Sequence, residues 1–360
     1  MKKIFVRLLI GLLAVYAGWT AWQAASFKRY GSPAGAADLA GPPFEIEGVY
    51  HVHTRFSDGR KSPDQVAAAA EAAGLGFVIL TDHGNPNNPS LDSEGFRSRV
   101  LVLAGSEIST NRGHLVAMGF KRPGRTTTFS RQAEAAAAEV AALGGITVIA
   151  HPYSKTRWSW GDAFVYEGIE ILNGDSLIKD DLGRTFFNAP LFAVRPTAAL
   201  LRLVNPPEDS TRKWDETLRR RPALGLFSSD AHVFYRAVFS VFHLHVLLDR
   251  PLPADFEAAR SLIFSAISAG RFFSAVDGAA SARGFRADLD GSTLRVATPY
   301  DFAHETVLIR DGKAVARAGG PGAEFSLDSP GAYRLEVHLR ERTPLREGVP
   351  WIISNPFVVK

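Results

Sequence analysis

The sequence predicts an α/β protein with a mainly parallel sheet, closed or open, followed by a small antiparallel β module of sandwich-like character. Three observations predict it. Between residues 44 and 278, short apolar runs of strand length alternate with helical stretches, as βα units do. After residue 279 the helical stretches stop. The turn pairs Asp290-Gly291, Asp311-Gly312 and Pro330-Gly331 then punctuate alternating segments such as Tyr333, Leu335, Val337 and Leu339. Finally, 46% apolar and 22% charged residues over 360 positions is the composition of a folded globular chain.

The N-terminus is a segment of its own. Lys2, Lys3 and Arg7 lead into residues 8–27, whose only polar members are Thr20, Gln23 and Ser26, and Lys28 and Arg29 close the stretch. About 20 apolar residues are needed to cross a bilayer core of roughly 30 Å. Trp19 and Trp22 stand where an interfacial belt would. Residues 1–29 are therefore either a transmembrane anchor or a signal peptide cleaved near Ala24 to Ser26, and the domain beyond them is expected outside the cytoplasm. Residues 30–45 read as a linker, rich in Gly, Ala, Ser and Pro.

Strands are expected over 49–53, 77–81, 100–104, 115–118, 146–150, 169–172 and 224–227, the short, largely apolar runs. Helices are expected where caps bracket helical stretches. Ser62, Pro63 and Gln65 form an N-cap, a first-turn proline and a capping-box partner for 63–73, which stops at Gly74. Helices 131–143 and 254–269 stop at Gly144 and Gly270. Residues 178–221 fit neither pattern and read as an excursion or lid. The main domain spans 46–280 and the β module 281–360. The chain has no cysteine, which excludes disulfides, thiolate ligands and a cysteine nucleophile. A net charge of +4 is mildly basic and compatible with anionic substrates or a phospholipid surface.

Chemistry gathers at strand ends. His51-Val52-His53 precedes Asp58; Thr81-Asp82-His83 follows an apolar run; Glu107 follows another, with His114 after it; His151 stands in Ala-His-Pro; Asp230 and His232 stand in Ser-Ser-Asp-Ala-His. Residues two apart on a strand share a face, so His51 and His53 can grip one ion. Imidazole and carboxylate suit Zn²⁺, Mn²⁺ and Fe²⁺, and a carboxylate such as Glu107 can bridge two ions. Six of the ten histidines occupy these positions. In α/β sheets and barrels, the carboxyl ends of strands converge on one mouth.

In this order the fragments resemble the PHP (polymerase and histidinol phosphatase) superfamily of metal-dependent phosphoesterases, over residues 46–280. The family pattern is His-x-His-[Ser/Thr]-x-x-Ser-Asp-Gly, Thr-Asp-His, Gly-x-Glu with a later His, His-Pro, and Ser-Asp-x-His, and each part is present. The resemblance implies a distorted (β/α)7 barrel holding two or three divalent ions. One ion would take His51, His53, Glu107 and Asp230, a second Asp58, His83 and His232, and a third Glu107, His114 and His151. With its apolar leader and β module, the chain resembles the secreted or membrane-tethered branch.

The expected reaction is hydrolysis of a phosphate mono- or diester by metal-activated hydroxide. Asp58 and His232 are expected to act in catalysis as well as in binding. Arg112, Lys155 and Arg157 follow ligand motifs closely enough to clamp phosphate, or are solvated loop charges; Arg55 and Arg236 are weaker candidates. Asp82 is expected to orient a ligand or form a turn, and Asn173 to line the mouth. Trp158 and Trp160 are expected as an aromatic wall or as buried packing. His243 and His245 lack a following acidic motif and read as packing; His304 and His338 read as surface residues. The partners expected are a small phosphorylated substrate and, through the N-terminus, a membrane. No basic stripe interleaved with aromatics suggests nucleic acid, and nothing sets an oligomeric state. Two other readings stay open: hydrolysis of a carboxylic ester or carbamate at the same ions, and a binding module that holds metal without turnover.

Overall fold

A computed structural model describes residues 2–30, 43–84, 88–124, 128–154, 158–341 and 343–360. The first helix, α1 (Lys2–Ser26), is long and apolar enough to cross a membrane, a test that a signal sequence also passes. Most of the expected linker lies outside the described residues; Tyr30 bridges to Ala280.

Strand β1 (Phe44–Val52) leads into α2 (Pro63–Ala72). The Ser62 hydroxyl accepts from Gln65 N at 3.3 Å and the Gln65 amide oxygen from Ser62 N at 3.1 Å, the reciprocal cap that the sequence predicts. Gly74 ends the turn at φ 84°, a left-handed position where a side chain would be strained. Next come β2 (Phe77–Leu80), β3 (Gly95–Arg97), β4 (Val100–Ala104), β5 (Ser106–Thr110), β6 (Gly113–Met118), α3 (Ala133–Ala142), β7 (Ile146–Ile149) and β8 (Gly168–Asn173). The stretch 178–221 holds the end of α4 (Gly174–Lys179) and all of α5 (Leu182–Val194), α6 (Pro196–Leu201) and α7 (Glu208–Leu218). The main unit continues through β9 (Leu224–Ser228), α8 (Tyr235–Phe239), β10 (His243–Leu248), α9 (Phe256–Ser268) and β11 (Phe272–Ala275).

The sheets are mixed rather than mainly parallel. β1–β2, β2–β4, β7–β8 and β8–β9 pair parallel, whereas β10 and β11 return antiparallel beside β1, and β5–β6–β7 is an antiparallel meander. An apolar run buried on both faces reads the same in either direction, so the sequence does not reveal strand polarity. Neither sheet closes on itself. Two seams join them, and neither sheet alone makes the distorted (β/α)7 barrel that the resemblance implies. Along one, Gly105 N donates to Leu80 O and Glu107 N to Thr81 O; along the other, Ser229 N donates to Tyr50 O and His53 N to Ala231 O. Tyr50, Ile79, Leu103, Val116, Val148 and Leu226 come from both sheets and form one core with Leu262 and Ile263 of α9.

The C-terminal strands are β12 (Arg286–Asp290), β13 (Thr293–Ala297), β14 (His304–Arg310), β15 (Lys313–Gly319), β16 (Gly322–Ser326), β17 (Gly331–Leu339), β18 (Ile352–Ser354) and β19 (Phe357–Val359). All their pairings are antiparallel. A three-stranded layer, β12–β13–β16, packs through Leu294 and Phe325 on Leu308, Leu335 and Trp351 of the other strands. Because β18 pairs with β11, that second layer continues the large sheet of the main unit. His304, expected at the surface, is buried here, with Nε2 2.7 Å from Thr298 Oγ1; the alternation of β14 points it inward.

Candidate metal centre

The strand ends gather all nine predicted ligands at one place. Glu107, buried at the start of β5, is the hub. Its Oε2 lies 3.2 Å from His51 Nε2, 3.0 Å from His53 Nε2 and 3.3 Å from His83 Nδ1; its Oε1 lies 2.7 Å from His114 Nδ1 and 3.1 Å from His151 Nε2. Asp230 Oδ1 stands 3.4 Å from Nε2 of both His51 and His53. At the open rim, Asp58 meets His53 Nδ1 at 3.3 Å, His232 Nε2 at 3.2 Å and His83 Nε2 at 3.6 Å.

Backbone strain concentrates on these residues. His51, His151 and Asp230 have φ of 59°, 29° and 45°, a region that non-glycine residues rarely adopt. Such positions cost about 1–3 kcal/mol each and persist where the surroundings impose them. His51 and His53 therefore converge through a break at the end of β1, where the pairing with β2 shifts register, and not by regular strand alternation.

The donor set fits divalent ions. His51 Nε2, His53 Nε2, His83 Nδ1 and His114 Nδ1 are buried without a hydrogen-bond partner, although each faces a Glu107 oxygen. Lone pair then meets lone pair unless a proton or a cation lies between, and orphaned buried polar atoms in a folded protein require an explanation of this kind. His53, Asp58, His83 and His232 form one group whose ligand atoms all lie within 4.8 Å of one another; His51, His53 and Glu107 form another, as do His51, His151 and Asp230, and His83, Glu107 and His114. Several overlapping groups could thus hold metal.

The electrostatics agree. Burial pushes the His51 imidazole down, yet the charges of Asp230, Glu170 and Glu107 outweigh it and hold its pKa well above the ordinary value. His53 is treated alike, pushed against burial to about 11 by Asp230, Asp58 and Glu107, and His151 is raised too. Glu107 and Asp230 stay ionised against burial because of the surrounding imidazoles, and Asp58 is lowered by its bond from His53. At His83, burial prevails and lowers the pKa. A field that draws protons onto imidazoles draws divalent cations to the same nitrogens, with proton release on binding.

The supporting layer was only partly visible in the sequence. Glu170, a lone charge in the otherwise apolar β8, was missed; that placement was its one available signal. It takes His51 Nδ1 at 2.6 Å, Tyr50 OH at 2.9 Å, His151 N at 2.8 Å and Asn173 Nδ2 at 2.9 Å. Holding the Nδ1 proton fixes the tautomer that leaves His51 Nε2 free for a metal. Asn173 also donates to Asp230 Oδ2 at 3.0 Å and caps α4. Asp82 is buried and accepts from Thr54 N, Thr54 Oγ1 and Ser57 Oγ at 2.6–2.8 Å, pinning the loop that carries Asp58.

Around these groups opens a mouth of about 290 Å³, whose described lining includes Asp58, His83, His232, Asp175 and a single cation, Lys179, paired with Asp175. An adjoining cleft of about 270 Å³ shares His151, Ser154 and Ser176 and adds Tyr153, Leu177 and Asn205. Arg112 is engaged elsewhere, on the β5–β6 turn: Nη2 meets Glu134 at 2.6 Å and Nη1 donates to Trp160 O at 3.0 Å. Its half-buried hairpin position was not legible from motif proximity. Lys155 and Arg157 lie outside the described residues. Arg55 stacks on Phe56, and Arg236 is a last-turn residue of α8. Trp160 is buried, and Trp158 carries the Lys213 ammonium over its ring.

No family model and no curated protein matches the chain. In structure it is similar to a two-domain protein containing a predicted PHP-like metal-dependent phosphoesterase from Bacteroides vulgatus, with 13% identity and a TM-score of 0.43 over 92% of this chain and 100% of that one. It is also similar to a candidate metal-dependent phosphoesterase from Bifidobacterium adolescentis and to an amidohydrolase from Chromobacterium violaceum with bound sulfate and no metal. Each of these has 17% identity and a TM-score of 0.35, over 51% of this chain and 87% of the other. At these values the geometry of the site, not the likeness, carries the functional reading.

Proposed function

We propose that the chain is a PHP-type metal-dependent hydrolase of phosphate mono- or diesters that uses two or three divalent ions, Zn²⁺, Mn²⁺ or Fe²⁺. The observation that carries this is the set of four orphaned imidazole nitrogens turned on the buried Glu107. The two seamed sheets are read as an opened, distorted (β/α)7 barrel. His51, His53, Glu107 and Asp230 would hold one ion, Asp58, His83 and His232 a second, and Glu107, His114 and His151 a third.

Such ions, when bound, polarise a phosphoryl oxygen and lower the pKa of water. The chain's own groups do the rest. Glu170 holds a proton at His51 Nδ1, and the Asp230 carbonyl holds His232 Nδ1 at 3.0 Å, so that both rings present Nε2 inward. Asp58 and His232 stand together at the rim, where they can orient an entering water. Among the described residues, Lys179 is the cation at the mouth and would contact the phosphate, the role expected of Arg112. The adjoining cleft receives the organic part of a small substrate. No nucleic acid is expected there, since Asp180, Glu208 and Asp209 border it.

One observation favours a second reading. A described lining with one cation, already paired, leaves little but metal to neutralise phosphate, which suits a carboxylic ester or carbamate. Metal analysis of the purified full chain in detergent, with phosphomonoester, phosphodiester and carboxylic-ester chromogens, tests both. Turnover on a phosphate ester, lost with a chelator and restored by Zn²⁺, Mn²⁺ or Fe²⁺, supports the first reading. Bound metal without turnover on any of them would leave only a metal-holding binding module.

A further inference from the structure

Helix α5 is built inside out. A surface helix ordinarily turns its charged and polar residues to water. Here every exposed side chain from Leu182 through Phe186, Phe187 and Pro190 to Val194 is apolar, with Phe186 83% and Leu182 69% exposed. The polar residues turn inward or bond locally: Arg184 Nη1 reaches Asn205 Oδ1 at 3.0 Å, Thr185 Oγ1 reaches Ile178 O at 3.0 Å, and Asn188 Nδ2 reaches Arg184 O at 2.9 Å. The apolar surface continues beyond the helix. Phe192 meets the exposed Phe234 with ring centroids 4.9 Å apart, and Val233 beside it is exposed as well. Both directly follow His232 of the metal centre.

We propose that α5, with Val233 and Phe234, is a docking surface for the bilayer that α1 enters. Two observations select lipid over a second copy of the chain. First, α1 joins the body at this surface: Tyr16 and Trp19 pack on Phe187 with centroids 5.0 and 5.1 Å apart, and Arg202 lies over the Trp19 ring and donates to Gln23 Oε1. Second, that packing leaves the span short. At about 1.5 Å per residue, the free apolar part of α1, residues 8–15 beyond Lys2, Lys3 and Arg7, reaches about 12 Å, well short of a bilayer core of about 30 Å. An apolar helix face lying in the interface sinks about 5–10 Å. Sinking α5 by that depth carries the packed turn of α1 into the interface and lengthens the inserted part of the span. Tyr16, Trp19 and Trp22 then fall at the level where aromatic side chains collect. Docked in this way, the metal mouth opens beside the headgroup layer.

The absence of native cysteine makes single-site labelling direct. The full chain carrying Phe186→Cys, or separately Val233→Cys, is labelled with an environment-sensitive fluorophore and reconstituted into vesicles of phosphatidylcholine and phosphatidylglycerol, with and without brominated acyl chains. A Val315→Cys label on the exposed β15 serves as control, and Val194→Cys is a second reporter on α5 should Phe186→Cys express poorly. The expected result is a blue shift with loss of most emission in brominated vesicles at residues 186 and 233, and none at 315. Emission at 186 or 233 that ignores brominated lipid, as at 315, overturns the proposal. A shift that instead follows protein concentration in lipid-free detergent overturns it in favour of a second copy. No arm depends on turnover, so failure of the hydrolase reading would leave the result intact.

Discussion

Two His-x-His pairs stand on neighbouring strands of one sheet, and their nitrogens end in opposite conditions. At His51 and His53 both inward nitrogens are buried and unbonded. At His243 and His245 every ring nitrogen is engaged. His243 meets Glu47 at 3.2 Å and Phe239 O at 2.7 Å, and His245 meets Glu45 at 2.7 Å and Asp277 at 2.8 Å. Arg283 and Arg286 complete that network on Glu47 and Glu45. Proximity does not separate the pairs, because Glu47, His243, His245 and Asp277 also lie within 4.8 Å of one another. Hydrogen-bond satisfaction does. The first pair presents unbonded nitrogens that could hold a cation; the second is a closed ion-pair network fastening β1, β10 and the segment after β11.

The strongest way to break this comparison is to delete each pair. His51→Ala with His53→Ala is expected to abolish bound metal and turnover, a larger loss than the about 10- to 100-fold that follows removal of an outer partner. His243→Ala with His245→Ala should leave metal content unchanged, as read by elemental analysis. If the second double variant lost metal and the first did not, the assignment of the two pairs would be reversed. Stability should behave in the opposite sense. His245→Ala strands the buried Asp277 carboxylate and is expected to cost about 3–5 kcal/mol in urea unfolding, the scale of a broken buried pair.

Glu170→Gln sharpens the comparison on the metal side. It keeps a hydrogen-bonding shape but removes the charge behind His51, so metal affinity should fall about 10- to 100-fold while the fold persists. Competition with a chromophoric chelator measures it. On the other side, pH is the probe. Burial pushes His245 down, but Asp277, Glu45 and Glu47 hold it well above its ordinary value; Asp277 is held against burial to about 2 by His245 and His243. A raised histidine contributes stability that is full below its unfolded pKa of about 6.5 and is lost as pH rises through the folded value. A lowered aspartate contributes stability present above about 3.9 and lost as pH falls through its folded value. The stability gap between the native chain and His245→Ala should thus be widest between about pH 4 and 6.5 and narrow on either side, in urea midpoints taken across pH. The smallest effect is expected at the mouth. Lys179→Ala should raise KM about 2- to 5-fold, the scale of a solvent-exposed ion contact, and Arg112→Ala should leave it unchanged.

The motif residues were legible because metal ligands must be His, Asp or Glu, and their fragments survive as short local strings. The reading of His243 and His245 as packing rested on the lack of a following acid. Acids do reach them, but across the sheet: the β1–β10 register sets Glu47 opposite His245. Glu170 was overlooked because its partners, Tyr50 and His51, lie more than a hundred residues away in sequence. Arg112 is engaged by Glu134 and Trp160, because nearness along the chain says nothing about which way a hairpin turn points.

By itself the sequence determined the α/β class, the caps of α2, the apolar N-terminal helix, the antiparallel turns after residue 279 and the nine His, Asp and Glu residues that gather at one place, all of which depend on local spacing and residue chemistry. Only the tertiary structure decided strand polarity, the two seams that join the sheets, which His-x-His pair lacks partners, and the outward apolar face of α5. Each of those depends on what lies across a sheet or beneath a helix, and on whether a buried nitrogen has already found a partner there.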